Sequence, residues 1–264
     1  METYQPKIEQ GKNNCEYIVY NFLDLPERRK FENPDFDLAQ KLGVFLVKQG
    51  FITNVKVLEG SWAFKYNSGD KTIYINDIPM PIEGYHEYIF CLGQNSKTGE
   101  YLFPEPGDET SRYRFLHEVS HAYQVYLRDK ETNGNKDYWC EKLINHEINS
   151  IFGLLFEYCY RKRKIHGNGI GLSACGNSSV YNNVSEPSQG LTRANEDANE
   201  LITMYLWNPK YFETFLDYVS VNIPGYGEES LRRDHLIKIS NTEKEGLKKV
   251  VMEYIREMKE NVGS

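Results

Sequence analysis

The chain has 264 residues, a formal net charge of −7, and 40% hydrophobic residues that include 20 Tyr and 13 Phe. That length can enclose a core of its own as one domain. The acidic balance argues against nucleic acid or an anionic membrane as the main partner, and no stretch approaches the ~20 apolar residues of a membrane span.

Five cysteines (Cys15, Cys91, Cys140, Cys159, Cys175) are scattered and form no C-x-x-C pair, which fits free thiols in a reducing compartment. Met1 to Lys7 offers no basic region followed by an apolar run, so the expectation is a cytoplasmic protein. The one basic run, Arg161-Lys162-Arg163-Lys164, reads as the solvated end of a helix, where cations complement the dipole.

In chain order, Tyr17 to Phe22 reads as a strand. Phe36 to Gln49 reads as a helix with apolar residues at Phe36, Leu38, Leu42, Phe45 and Leu46, closed by Gly50. Phe51 to Leu58, Trp62 to Tyr66, Thr72 to Ile75 and Tyr88 to Leu92 read as strands parted by Gly, Asn and Asp turns, with a hairpin at Gly69-Asp70. Pro104 to Asp108 is a loop leading into a helix capped by Asp108, Thr110 or Ser111. Asp137 to about Arg163 is a strongly apolar helix, and the glycine-rich stretch from His166 to Gly190 is a long loop. Helices follow at Arg193 to Trp207, Pro209 to Val219, Glu228 to Ile237 and Thr242 to Met258. The expectation is one α+β domain over 1–264. Residues 1–103 form a mixed or antiparallel sheet with a helix, and 104–264 form a mostly helical half.

The helix after the Pro104 loop carries His117-Glu118-Val119-Ser120-His121. Residues four apart share a helix face, so His117 and His121 can turn a ring nitrogen to the same ion. Glu118 is placed to take the proton of a water beside that ion, acting as general base. Phe115, Leu116, Val119, Ala122, Tyr123 and Tyr126 recur at helical spacing around the motif, so the helix is expected to be buried. Two histidines and a carboxylate on a buried helix are costly without a partner, which favours a metal over surface decoration. This is the core of a zinc peptidase site, with one Zn2+ per chain.

A catalytic zinc normally takes three protein ligands. The strongest third candidate is Glu196, in Asn195-Glu196-Asp197-Ala198-Asn199-Glu200, where Glu196 and Glu200 share a face. Glu196 would bind the metal and Glu200 would accept a hydrogen bond from the far nitrogen of a ligand histidine. Acids also favour a helix N-terminus without any metal. Glu141 and Glu147 compete for the role, although neither has an acid four residues on, and His146, His166 and His235 are minor alternatives.

The H-E-x-x-H motif followed by E-x-x-x-E, then Tyr205, Asn208-Pro209 and Tyr211-Phe212, resembles the gluzincin clan of metallopeptidases, in particular the compact lethal-factor-like and minigluzincin types. The resemblance covers two short motifs and at most the span from Tyr101 to Val219. It implies a zincin-like fold, His117, His121 and Glu196 as zinc ligands, Glu118 as general base, and a peptide or protein substrate. It also implies a sheet edge along which an extended peptide adds as a strand, assigned here to Thr72, Ile73, Tyr74 and Ile75. The chain departs from the pattern in two ways: Glu196 lies 75 residues beyond His121, and no Tyr or His directly precedes it to steady an oxyanion. Tyr181, His166 and Tyr205 are candidate stand-ins, with core packing the competing reading of Tyr205. The alternative function is a zinc-binding protein that holds a peptide or regulates without cutting.

Overall fold

A computed structural model describes residues 15–24, 35, 37–59, 64–76, 108–134, 150–151, 153–155, 187–209, 212–213 and 241–263. In chain order these form α1 (Cys15–Phe22), α2 (Leu38–Lys48), β1 (Asn54–Leu58), β2 (Lys65–Asn67), β3 (Thr72–Asn76), α3 (Asp108–Thr132), α4 (Pro187–Trp207) and α5 (Asn241–Gly263). The result is a mixed α+β fold, mostly helical, with a small three-stranded sheet.

The segment expected as a first strand is a helix. Its β-branched and aromatic residues suggest a strand. The apolar positions Cys15, Ile18, Val19, Phe22 and Leu23 nevertheless recur at three and four, the helical period. Val19, Phe22 and Leu23 are buried, while Tyr17 and Tyr20 face outward. Tertiary contacts also finish this helix: Arg112 of α3 donates through Nη1 to the carbonyls of Asn21 and Asp24, each at 2.8 Å, satisfying acceptors at the α1 C-terminus. Gly43 of α2 lets α1 approach closely, since a Cβ there would lie 2.5 Å from Val19 Cγ1 and 2.7 Å from Leu23 Cδ1.

α2 keeps the expected face, with Leu38, Ala39, Leu42 and Leu46 buried. It ends before Gly50, whose φ of 71° supplies the left-handed turn that glycine adopts without penalty. The chain then enters the sheet, whose order is β1-β3-β2. β1 runs parallel to β3 with Asn54 opposite Thr72 and Leu58 opposite Asn76, and β2 runs antiparallel to β3 with Tyr66 opposite Ile73. The expected hairpin joins β2 to β3. Asn67 Oδ1 accepts from Gly69 N at 2.9 Å and Asp70 Oδ1 from Thr72 N at 3.2 Å, the side-chain mimicry that makes Asn and Asp turn residues.

This topology corrects one expectation. Thr72 to Ile75 belong to the central strand, paired on both sides, and so cannot accept a further strand there. Among the described residues the edges are β1 and β2. A sequence pattern registers that a strand exists but not its rank in the sheet, which is fixed by long-range pairing.

α3 lies against β2 and β3 on one side and against α4 on another, and α5 packs on α2 and α4. Phe115, Leu116, Val119, Ala122 and Tyr123 of α3 are fully buried, as are Leu201, Leu206 and Trp207 of α4 and Leu247, Val251 and Ile255 of α5 to within 1%. α4 starts at Pro187, so the final residues of the expected loop, Gly190 included, are helical. Proline suits the first helical turn because its missing N–H would have no partner there. α5 extends the expected Thr242–Met258 helix at both ends. The strand expected at Tyr88–Leu92, the helix at Glu228–Ile237 and most of that at Asp137–Arg163 lie outside the described residues. Among the described residues no helix is long and apolar enough to cross a membrane.

Candidate metal centre

α3 and α4 cross so that three ligand-type atoms converge. His117 Nε2 and His121 Nε2 lie 3.1 Å apart, and each is 3.2 Å from Glu196 Oε2. Among the described residues this is the group of His, Cys, Asp or Glu side chains able to hold a metal ion. Glu141, Glu147, His146 and His235 lie outside the described residues. His117 is 2% exposed and His121 15%, while Glu196 keeps about a third of its surface open.

The second nitrogen of each ring fixes its tautomer. His117 Nδ1 donates to Glu200 Oε2 at 2.9 Å, and Glu200, with no exposed surface, also receives the Tyr113 hydroxyl on Oε1 at 2.5 Å. His121 Nδ1 donates to Gln124 Oε1 at 3.1 Å. With both protons on Nδ1, the two Nε2 atoms present lone pairs, and Glu196 Oε2 presents a third. In that tautomeric state three acceptors face one point, an arrangement that a cation satisfies. Tetrahedral zinc with bonds of ~2.0–2.1 Å has ligand atoms roughly 3.3 Å apart, close to the observed triangle. The donor set therefore fits zinc.

Electrostatics point the same way. Burial acts to raise the Glu196 carboxyl. In the metal-free protein the charge that His121 then carries, with protons on the facing ring nitrogens of His117 and His121 bonded to the carboxylate, outweighs it and holds the group well below its ordinary 4.5; those are the protons that a metal would displace. A carboxylate that stays ionised beside two imidazoles is ready to bind a metal.

Glu118 follows His117 on α3, is 7% exposed, and accepts the backbone N–H of Tyr66 on Oε2 at 2.6 Å. Tyr66 sits on β2 opposite Ile73, and its N–H turns to Glu118 rather than to β3. The base is thus moored to an edge strand. Tyr66 itself is anchored by its hydroxyl, which donates to the Phe51 carbonyl at 2.7 Å. Asn199, fully buried, donates through Nδ2 to the His117 carbonyl at 2.9 Å and ties α4 to the motif turn.

The expected His117, Glu118, His121, Glu196 and Glu200 therefore come together. Tyr205 does not. Its hydroxyl donates to Asp35 Oδ2 at 3.3 Å, its ring packs edge-on against Phe212, and burial, reinforced by Asp35, pushes its pKa up to about 12. It packs α4 rather than steadying an oxyanion. The other two stand-ins, Tyr181 and His166, lie outside the described residues. Sequence reasoning missed Tyr113, Gln124, Asn199 and Tyr66. The first three were findable by extending the helix face: Tyr113 is four before His117, Gln124 three after His121, and Asn199 three after Glu196. Tyr66 had no local signal, because it acts through its backbone across the fold.

No protein-family model, curated protein or solved structure matches the chain.

Proposed function

We propose that this protein is a zinc-dependent peptidase of the zincin type. The observation that carries the reading is the convergence of His117 Nε2, His121 Nε2 and Glu196 Oε2 beside Glu118, with each imidazole proton held on the far side. When bound, zinc would supply Lewis acidity, polarising a scissile carbonyl and making water acidic enough to ionise near neutral pH.

The chain's own groups account for the rest. Glu118 takes a proton from the attacking water and passes it to the leaving amine nitrogen. The Tyr66 N–H grips Oε2, which fixes the carboxylate plane and leaves Oε1 as the oxygen to carry that proton. Glu200 and Gln124 hold the rings in register, and Tyr113 and Asn199 hold Glu200 and the motif backbone in turn. A peptide substrate lies beside Glu118 and the three ligands, near β2, whose Tyr66 N–H is already taken by Glu118.

Zinc per chain, measured on wild type and Glu196→Ala, tests the centre: one equivalent falling sharply in the variant is expected. Glu118→Gln should keep its zinc and lose cleavage of a broad peptide pool read by mass spectrometry, by at least ~10²-fold. Wild type without zinc after zinc is added back would refute the reading. Zinc present with Glu118→Gln as active as wild type would leave the centre and remove Glu118 from the chemistry.

A further inference from the structure

The two histidines of the centre are steadied by unlike groups. His117 leans on the buried carboxylate of Glu200, whereas His121 leans on the neutral side chain of Gln124. We propose that Gln124 is the positioning residue of the second histidine, its amide oxygen keeping the His121 proton on Nδ1 so that the Nε2 lone pair faces the metal. The proposal rests on the metal-site reading above and adds a residue that the H-E-x-x-H motif does not contain.

Geometry supports it first. Gln124 lies three residues after His121 on α3, so both side chains rise from one helix face, and Oε1 reaches Nδ1 at 3.1 Å. Gln124 is 5% exposed, which fixes its rotamer among packed neighbours. The amide must also be oriented as it stands. Turned over, its NH2 would meet Nδ1, the ring proton would move to Nε2, and His121 would be lost as a ligand.

The second support is what Gln124 leaves unsatisfied. Its Nε2 is buried and has no hydrogen-bond partner among the described residues. A buried amide with an unmet donor works against the fold, and an apolar side chain of similar length would fill the space without that penalty. Packing therefore does not explain a glutamine here. The acceptor on His121 does. A neutral acceptor also holds the ring without adding another anion to a site that already contains Glu118, Glu196 and Glu200.

The test compares Gln124→Met and Gln124→Glu with wild type. Zinc affinity is read by competition with a chromophoric chelator, and metal-free melting is read by circular dichroism. Met keeps the volume and removes the acceptor, so zinc should bind about 10- to 100-fold more weakly while the metal-free melting temperature does not fall. Glu keeps an acceptor in place, and a charged one, so zinc should bind no more than about threefold more weakly than in wild type, a rescue that a packing role would not produce. The proposal is overturned if Met binds zinc within about twofold of wild type, or if Glu stays as weak as Met. A Met variant whose metal-free melting falls with its zinc affinity would assign Gln124 to packing, which also overturns it. Wild type that binds no zinc would fail the metal-site reading itself. Zinc lost in His121→Ala but kept in Gln124→Met would leave that reading intact and remove only the role of Gln124.

Discussion

Glu200 offers the sharpest test of how the centre is held. It has no exposed surface, and its two oxygens accept from two different donors: Tyr113 at 2.5 Å and His117 Nδ1 at 2.9 Å. Glu200→Gln preserves shape. The new amide oxygen can accept from His117, and the new NH2 can donate to the Tyr113 oxygen, because a hydroxyl both donates and accepts. Only the charge is lost. A hydrogen bond to a charged group contributes about 1.5–3 kcal/mol against about 1 for a neutral one. The difference of about 0.5–2 kcal/mol corresponds to zinc binding weaker by roughly 2- to 30-fold. The metal-free protein should not melt lower, because a buried carboxylate carries a desolvation penalty that the amide lacks. Glu200→Ala should be worse on both counts, removing the acceptor that Tyr113 and His117 share and leaving a cavity beneath α4. Tyr113→Phe should fall between wild type and Glu200→Gln. Chelator competition gives the affinities and thermal melts give the stabilities. Zinc affinity for Glu200→Gln within twofold of wild type, with the same melting temperature, would falsify the claim that the Glu200 charge supports His117.

Other outcomes follow from the same structure. Removing zinc with a chelator should lower stability by about 4 kcal/mol relative to protein held at a thousandfold excess of zinc over Kd; Glu196→Ala, scanned alongside, should show no such gap. Gly43→Ala should destabilise the fold: its Cβ would meet Val19 Cγ1 at 2.5 Å, and overpacking of about 1–3 kcal/mol exceeds the ~1 kcal/mol of helix propensity gained. The companion change Val19→Ala should recover part of that loss in urea melts, and additive effects would argue against the contact. Burial pushes the Cys15 thiol up from 9.0 to about 11. At pH 8.5 the folded chain should therefore alkylate at Cys15 roughly a hundredfold more slowly than the unfolded one, as read by peptide mapping. Because the folded value is the higher one, the matching stability is complete below about pH 9 and is lost as pH rises toward 11. Equal alkylation rates in the folded and unfolded chain would contradict this burial.

Local spacing carried a good part of the site. His117, Glu118 and His121 are readable because four residues make one helical turn, and the Glu196–Glu200 pair is readable for the same reason. The apolar face of α2 and the Asn67–Asp70 turn are equally local, and both formed where expected. The expectations that failed depend on distance along the chain. Tyr17 to Phe22 has strand-like composition, yet its apolar period is helical and Arg112, about ninety residues later, caps its end. Thr72 to Ile75 is a strand as expected, but its place at the centre of the sheet was settled by β1 on one side and β2 on the other.

The sequence by itself determined which helices carry the candidate ligands and which faces they present, because helical geometry converts spacing into direction. Only the tertiary structure decided that Glu196 meets His117 and His121, that Glu200 takes the His117 ring, and that the Tyr66 amide moors Glu118. Those contacts join residues as much as 83 positions apart. Bringing them together requires α3, α4 and the sheet to bury their apolar faces against one another, and no local pattern encodes the angle at which they do so.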